Sequence, residues 1–225
     1  MMLFHLLNLF LFEQSVLQIV FAGRFVLYYA RKKPYNKILF IILPIGGTEK
    51  IMKKLEEYVR SIPDFPEKGI IFRDITSVLQ DADGLGLAID TMKDLVKDLD
   101  FDVVAGPESR GFIFGTPLAY LYHKPFVLIR KKGKLPCETV SQQYDLEYGT
   151  ATIEMHKDAI VPGQKVLIVD DLIATGGTTE AMIKLVESLG GVVVGVVVLM
   201  ELAGLKGRER INKVPLYSAI TYEGK

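Results

Sequence analysis

Two adjacent carboxylates, Asp170 and Asp171, stand between an apolar run, Val166 to Val169, and a stretch of small and hydroxylic residues: Ala174, Thr175, Gly176, Gly177, Thr178 and Thr179. The run V-L-I-V reads as an interior strand. Beyond the loop, Ala181, Met182, Leu185, Val186 and Leu189 recur at helical spacing. The order strand, acidic pair, small-residue loop, helix puts the loop at the carboxyl end of a strand, where α/β sheets bind ligands. Glycines let backbone N–H groups turn toward an anion, threonines add donors, and the helix N-terminus adds partial positive charge. That is a site for one phosphate. The acidic pair would repel the same phosphate; it suits the hydroxyls of a ribose, or a hydrated Mg²⁺. The loop has neither the G-K-[ST] of a Walker A motif nor a G-x-G-x-x-G.

Three other clusters carry chemistry. The segment D-V-V-A-G-P-E-S-R-G delivers Arg110 to the start of a helix, a permanently charged fork suited to phosphate oxygens. In R-K-K-G-K-L-P, Arg130, Lys131, Lys132 and Lys134 follow a core strand and suit a polyanion. The nearby Q-Y-D-L-E-Y-G carries Glu147 and Tyr148 in a polar stretch with the character of a lid, whose closure would keep water from a reactive sugar cation. In F-P-E-K-G-I-I-F-R-D-I-T, Phe72 can stack on a flat ring while backbone groups near Ile71 and Arg73 bond its edge.

These clusters need a scaffold. Residues 52–61 and 84–99 read as amphipathic helices, and 62–80 as a proline-punctuated segment. Phe101 to Ala105, Phe126 to Ile129, Val192 to Met200 and Pro215 to Thr221 read as strands, and Gly111 to Tyr122 as a small-residue helix. Residues 130–143 are polar enough to predict a loop, and Glu147 to Met155 alternates like one member of an antiparallel pair. Strands alternating with helices predict an α/β fold with a mostly parallel sheet and right-handed crossovers. The 225 residues suffice for one such domain. A net charge of +0 gives no basic excess for nucleic acid. The lone Cys137 rules out an internal disulfide and fits a reducing, cytoplasmic setting.

Residues 1–51 differ from the rest. They are crowded with Leu, Phe, Ile, Val and Tyr, yet Glu13 and Arg24 interrupt any clean membrane span. The start M-M-L-F-H lacks the basic region of a secretory signal. Arg31, Lys32 and Lys33 leave an anchor open in the positive-inside sense. The favoured expectation is that synthesis starts at Met52, leaving 174 residues. The first 51 would then be an apolar extension with no selected fold, drawn at most as a loosely docked helix, with no membrane contact; an anchor and a structured extension are the alternatives.

The ordered motifs I-I-F-R-D-I-T, R-G-F-I-F-G, R-K-x-G-K-L-P, L-E-Y-G and V-D-D-L-x-A-T-G-G-T, with E-L-x-x-L-K-G-R-E near the C-terminus, cover residues 52–225. They closely resemble the adenine phosphoribosyltransferase family of the type I phosphoribosyltransferases. The resemblance implies a central, mostly parallel twisted sheet flanked by helices, with a small N-terminal hood and a flexible lid loop. It implies a cytoplasmic homodimer acting in purine salvage. The reaction would be Mg²⁺-dependent transfer of 5-phosphoribosyl from phosphoribosyl pyrophosphate to adenine, giving AMP and pyrophosphate. By the same resemblance Ile71, Phe72 and Arg73 form the adenine pocket, with Leu172 on the opposite ring face. Asp170 and Asp171 hold the ribose hydroxyls, with Mg²⁺ near them and bound mainly through substrate. Ala174, Thr175, Gly176, Gly177 and Thr178 cradle the 5′-phosphate, and Ser109, Arg110, Lys131 and Lys134 meet the pyrophosphate. Glu147 and Tyr148 come from the lid, with Glu147 the proton shuttle at the base. Glu147, Arg110, Asp170 and Asp171 make up the catalytic set. A non-proline cis peptide is implied at Glu108–Ser109. A transferase for another purine, and a non-catalytic sensor of phosphoribosyl pyrophosphate, are the alternatives.

Overall fold

The computed structural model describes residues 53–145 and 149–224, with the backbone of 16–22, 25–32 and 37–44. The chain divides into two compact units, Met1–Met52 and Lys53–Lys225.

In the first unit, β1 (Val16–Ala22), β2 (Phe25–Lys32) and β3 (Lys37–Pro44) form an antiparallel sheet in that order. Ala22 pairs with Phe25 and Lys32 with Lys37, so both connections are short. The sequence reading had allowed a helix here. The segments V-L-Q-I-V-F-A, F-V-L-Y-Y-A-R-K and K-I-L-F-I-I-L-P are rich in β-branched and aromatic residues, which fit a pleated surface better than a helix.

The second unit begins with a two-stranded antiparallel ribbon, β4 (Arg60–Pro63) and β5 (Ile71–Asp74). A helix was predicted over residues 52–61. Within it the structure has only one 3₁₀ turn, Leu55–Tyr58. Pro63 forbids the helix from continuing, and the pairing of Ser61 with Arg73 and Ile62 with Phe72 draws the chain into a strand. A short helix α1 (Thr76–Leu79) leads to α2 (Ala82–Leu95), whose first turn is closed by the Asp81 carboxylate accepting from the N–H groups of Asp83 and Gly84.

The central sheet uses β6 (Val103–Pro107), β7 (Phe126–Lys131), β8 (Thr139–Asp145), β9 (Thr150–His156), β10 (Lys165–Ile173), β11 (Val192–Leu202) and β12 (Leu216–Tyr222). Their spatial order is β12-β11-β10-β6-β7-β9-β8. The first five of these run parallel, and β9 and β8 are antiparallel additions. Residues 130–143 were predicted as loop, but from Thr139 onward they enter β8, the edge strand. Its pattern T-V-S-Q-Q-Y-D half-buries Val140, Gln142 and Tyr144 and exposes Ser141, Gln143 and Asp145. An edge strand with one half-covered face tolerates that much polarity.

Both faces of the sheet are covered. Leu167 and Val169 join one apolar cluster with Met92 of α2 and with Phe114 and Leu118 of α3 (Arg110–Leu121). Val166 and Ile168 join the other, with Met182, Leu185 and Val186 of α4 (Gly177–Ser188). From β6 the chain crosses through α3 to β7, on one side. From β10 it crosses through α4 to β11, on the other. The strand order therefore reverses between β6 and β10, and the loops that follow them diverge. Such a reversal is where open α/β sheets form their binding crevice. No helix among the described residues is long and apolar enough to cross a membrane.

Candidate active site

The crevice is there. A cleft of about 290 Å³ is lined by Pro107, Glu108, Ser109 and Arg110 from the β6 loop, by Asp170–Thr179 from the end of β10 and the start of α4, and by Tyr144. Two loops nominated separately from the sequence thus face one space.

Gly176 precedes α4 in the left-handed region at φ +79, a conformation that glycine adopts without penalty. No side chain caps the helix, and Glu180 is the first residue whose N–H closes on Gly176 O, at 2.9 Å. The first-turn N–H groups, which have no helical partner, remain for a ligand, with the helix dipole behind them.

Asp170 and Asp171 are both buried. Burial, and then the neighbouring Asp171 charge, holds the Asp170 carboxyl well above the usual carboxylate range. Burial also raises Asp171, while the Arg110 guanidinium pulls it back. Asp170 Oδ1 accepts the Asp171 N–H at 2.8 Å. Arg110 Nε approaches Asp171 Oδ2 to 3.0 Å, yet without hydrogen-bond alignment, so Oδ2 is a buried acceptor with no donor. The contact is one of charge alone. An unsatisfied carboxylate oxygen beside a phosphate-type loop fits a ribose hydroxyl or a metal-bound water.

The Glu108–Ser109 peptide is cis, where the resemblance had implied it. Arg130, counted among the flap cations, is directed elsewhere. Its Nε donates to Glu108 Oε2 at 2.6 Å and a terminal nitrogen donates to Lys134 O at 3.0 Å. It ties the β6 loop to the basic turn. That turn is pinned from below, where the Gly133 N–H donates to buried Glu154 at 2.8 Å. Lys131 and Lys134 are exposed at the end of β7 and in the turn after it, and they do not line the cleft.

Leu172 lines the cleft, half-buried. Ile71, Phe72 and Arg73 lie on β5 and are not among the cleft-lining residues. Phe72 meets Phe65 edge-on at 5.3 Å. The Arg73 guanidinium stacks over the Tyr222 ring at 4.0 Å and donates to Ser61 Oγ at 2.5 Å. The Arg73 side chain is thus engaged within the fold. Glu147 and Tyr148 lie outside the described residues.

The sequence reading assigned no role to Tyr144, whose signal was only the alternation of an edge strand. It also assigned none to α5 (Gly207–Arg210), which packs under the phosphate-type loop. The K-G-R-E of that turn had entered only as part of the resemblance.

Known proteins give this arrangement its context. The phosphoribosyl transferase domain family matches residues 76–220. The adenine phosphoribosyltransferase of Lachnoclostridium phytofermentans is 68% identical over 174 residues, covering 77% of this chain and 100% of that protein. The crystal structure of adenine phosphoribosyltransferase from Thermoanaerobacter pseudethanolicus matches with a TM-score of 0.72 at 51% identity, over 75% of this chain and 100% of that one. The Saccharomyces cerevisiae enzyme, solved with adenine and an imino-altritol bisphosphate, matches with a TM-score of 0.69 at 37% identity, over 73% and 96%.

Proposed function

The chain belongs to the adenine phosphoribosyltransferase family, and from that premise we propose how its cleft divides the work of the reaction. The enzyme serves adenine salvage, transferring 5-phosphoribosyl from phosphoribosyl pyrophosphate to adenine and giving AMP. The observation that carries the assignment of roles is the single cleft shared by the α4 N-terminus, the Asp170–Asp171 pair and Arg110. A phosphorylated sugar needs all three: an anion cradle at one end, acceptors for its hydroxyls, and a cation for the leaving group.

In this reading Ala174 to Thr178 grip the 5′-phosphate through backbone N–H groups and threonine hydroxyls. Asp170 and Asp171 accept the ribose hydroxyls, and the donor-less Asp171 Oδ2 supports that role. Ser109 and Arg110, joined by Lys131 and Lys134, stabilise the departing pyrophosphate. Ile71, Phe72 and Arg73 hold adenine, with Leu172 against the other ring face. The transition state has oxocarbenium character, so catalysis rests on positioning and on charge rather than on a covalent nucleophile. Glu147 serves the proton at the base, and Tyr148 accompanies it in the lid.

Mg²⁺, when bound, supplies charge neutralisation at the leaving group. The ion would be held mainly by substrate, with Asp170 and Asp171 near it. The lone Cys137 supports a cytoplasmic location. A homodimer is supported by α3, where Ile113, Tyr120 and Leu121 leave an apolar face exposed.

The test is a base panel with phosphoribosyl pyrophosphate and Mg²⁺, read by pyrophosphate release. Adenine should support turnover, and hypoxanthine, xanthine and guanine should not. Turnover on another purine would reassign the acceptor. Tight substrate binding without pyrophosphate release would favour a sensor.

A further inference from the structure

We propose that the turn Gly207–Arg210 braces the phosphate loop, and that Arg208 and Glu201 are positioning residues for recognition of the 5′-phosphate. The proposal rests on the reading of Ala174–Thr178 as the phosphate cradle.

Gly176 and Gly207 touch backbone to backbone. A Cβ on Gly176 would lie 2.7 Å from Gly207 O, and a Cβ on Gly207 would overlap Ala174 O and stand 3.0 Å from Gly176 N. No side chain intervenes, so the position of Gly207 sets how far the cradle can relax away from a ligand. A helix of one turn cannot fix that position by itself. The fixing comes from outside the turn. Arg208 sends Nε to Glu201 Oε1 at 3.0 Å and one terminal nitrogen to Oε2 at 2.5 Å, while the other donates to Leu216 O at 2.8 Å. Ser218 Oγ donates to Glu201 Oε2 at 3.1 Å. Glu201 is 5% exposed near the end of β11, so this fork is anchored in the sheet. At the other end of the turn, Arg210 Nε donates to Glu180 Oε2 at 2.7 Å, in the first turn of α4. The brace is thus tied to β11 and β12 on one side and to the phosphate helix on the other.

Neither Arg208 nor Glu201 lines the cleft, so an effect on a ligand passes through the turn, by Gly207 against Gly176 and by Arg210 to Glu180. The bidentate fork is a geometry that arginine makes and lysine does not. Arg208→Lys therefore keeps the charge and loses the brace in part, and Arg208→Met loses both.

The experiment uses the full chain and isothermal titration with AMP and with adenosine, which differ only by the phosphate. Arg208→Met should lower the affinity ratio of AMP to adenosine about tenfold, Arg208→Lys should fall between, and KM for phosphoribosyl pyrophosphate should rise more than kcat falls. An unchanged ratio, or equal weakening of both ligands, overturns the brace. Should Arg208→Met fail to fold, Arg208→Lys and Glu201→Gln carry the same comparison. Thr178→Ala, within the cradle, separates the two levels of the argument. If it leaves the ratio intact, the cradle reading falls and the brace with it. If it lowers the ratio while the Arg208 variants do not, only the brace is wrong.

Discussion

Arg110 Nε and Asp171 Oδ2 stand 3.0 Å apart across the line where the strand order reverses, one at the start of α3 beyond β6 and the other near the end of β10. The pair joins the two halves of the cleft by charge without a hydrogen bond, so a ligand can take up either group without breaking one.

From this follows the behaviour of Asp171→Asn. Turnover should drop by about 10²-fold or more, the scale on which positioned electrostatic groups act. The fold should be unharmed, because burial already disfavours the Asp171 charge and an amide avoids that cost, while the half-exposed Arg110 can turn to solvent. Steady-state rates at saturating Mg²⁺, with thermal melts beside them, give the answer. Wild-type turnover would remove Asp171 from the catalytic set.

Asp170 makes the ligand-free protein sensitive to pH. Its folded pKa lies above its unfolded value, so the fold prefers the protonated acid. That contribution is complete below the unfolded pKa and is lost as pH rises through the folded one. Asp170→Asn removes the loss, so its melting temperature should exceed that of the wild type by a margin that grows as pH rises above the ordinary carboxylate range. Glu201 works the other way, since Arg208 lowers its pKa and its contribution disappears as the solution becomes acid. Both proteins carry Glu201, so it cancels in the comparison. A margin that shrinks with rising pH would refute the assignment.

Gly176→Ala should harm both stability and binding. A side chain at φ +79 costs about 1–2 kcal/mol, and its Cβ would press on Gly207 O. On a domain of this size each ~1 kcal/mol lowers the melting temperature by about 2–4 °C. AMP affinity should fall at least about tenfold, which is about 1.4 kcal/mol. Differential scanning fluorimetry and titration read the two effects, and unchanged AMP binding would show that the loop does not contact the phosphate.

Much of this site is legible in sequence because its parts are local. A four-residue apolar run, two acids and a small-residue loop lie within one stretch, and strand β10, the loop and α4 form there. Ribbon β4–β5 is not local. Leu55, Tyr58 and Val59 do match a helical face, but Pro63 and the partner strand at Ile71–Asp74 override it. Edge strand β8 hides for another reason: half-coverage permits polar residues, so composition alone says loop. The role of α5 is invisible in one dimension, because Gly207 matters through Gly176, and Arg208 through a strand seven residues earlier. The cis peptide at Glu108–Ser109 was reached by resemblance and not by reading the residues.

The exposed face of α3 should be covered in solution by a second copy. Ile113, Tyr120 and Leu121 sit at i, i+7 and i+8, one side of the helix, and Tyr120 is 83% exposed. Light scattering should give twice the chain mass for the wild type and the single mass for an Ile113→Asp, Tyr120→Glu double variant. A monomeric wild type would end this reading.

A chain beginning at Met52 should fold and turn over like the full one. The second unit, Lys53–Lys225, contains the whole cleft. Comparison of kcat and melting temperature for the two lengths tests it, and loss of activity in the shorter chain would give residues 1–51 a part in the enzyme.

The engagement of Arg73 with Tyr222 and Ser61 bears on how such an enzyme can evolve. On the proposal that the backbone of β5 reads the base, the reading is done by atoms that every substitution leaves in place. Replacing Arg73 unhooks the ribbon from β12 before it alters which base is preferred. Drift at this position would then be filtered by folding, and on that proposal the preference for one purine would be inherited with the path of the chain.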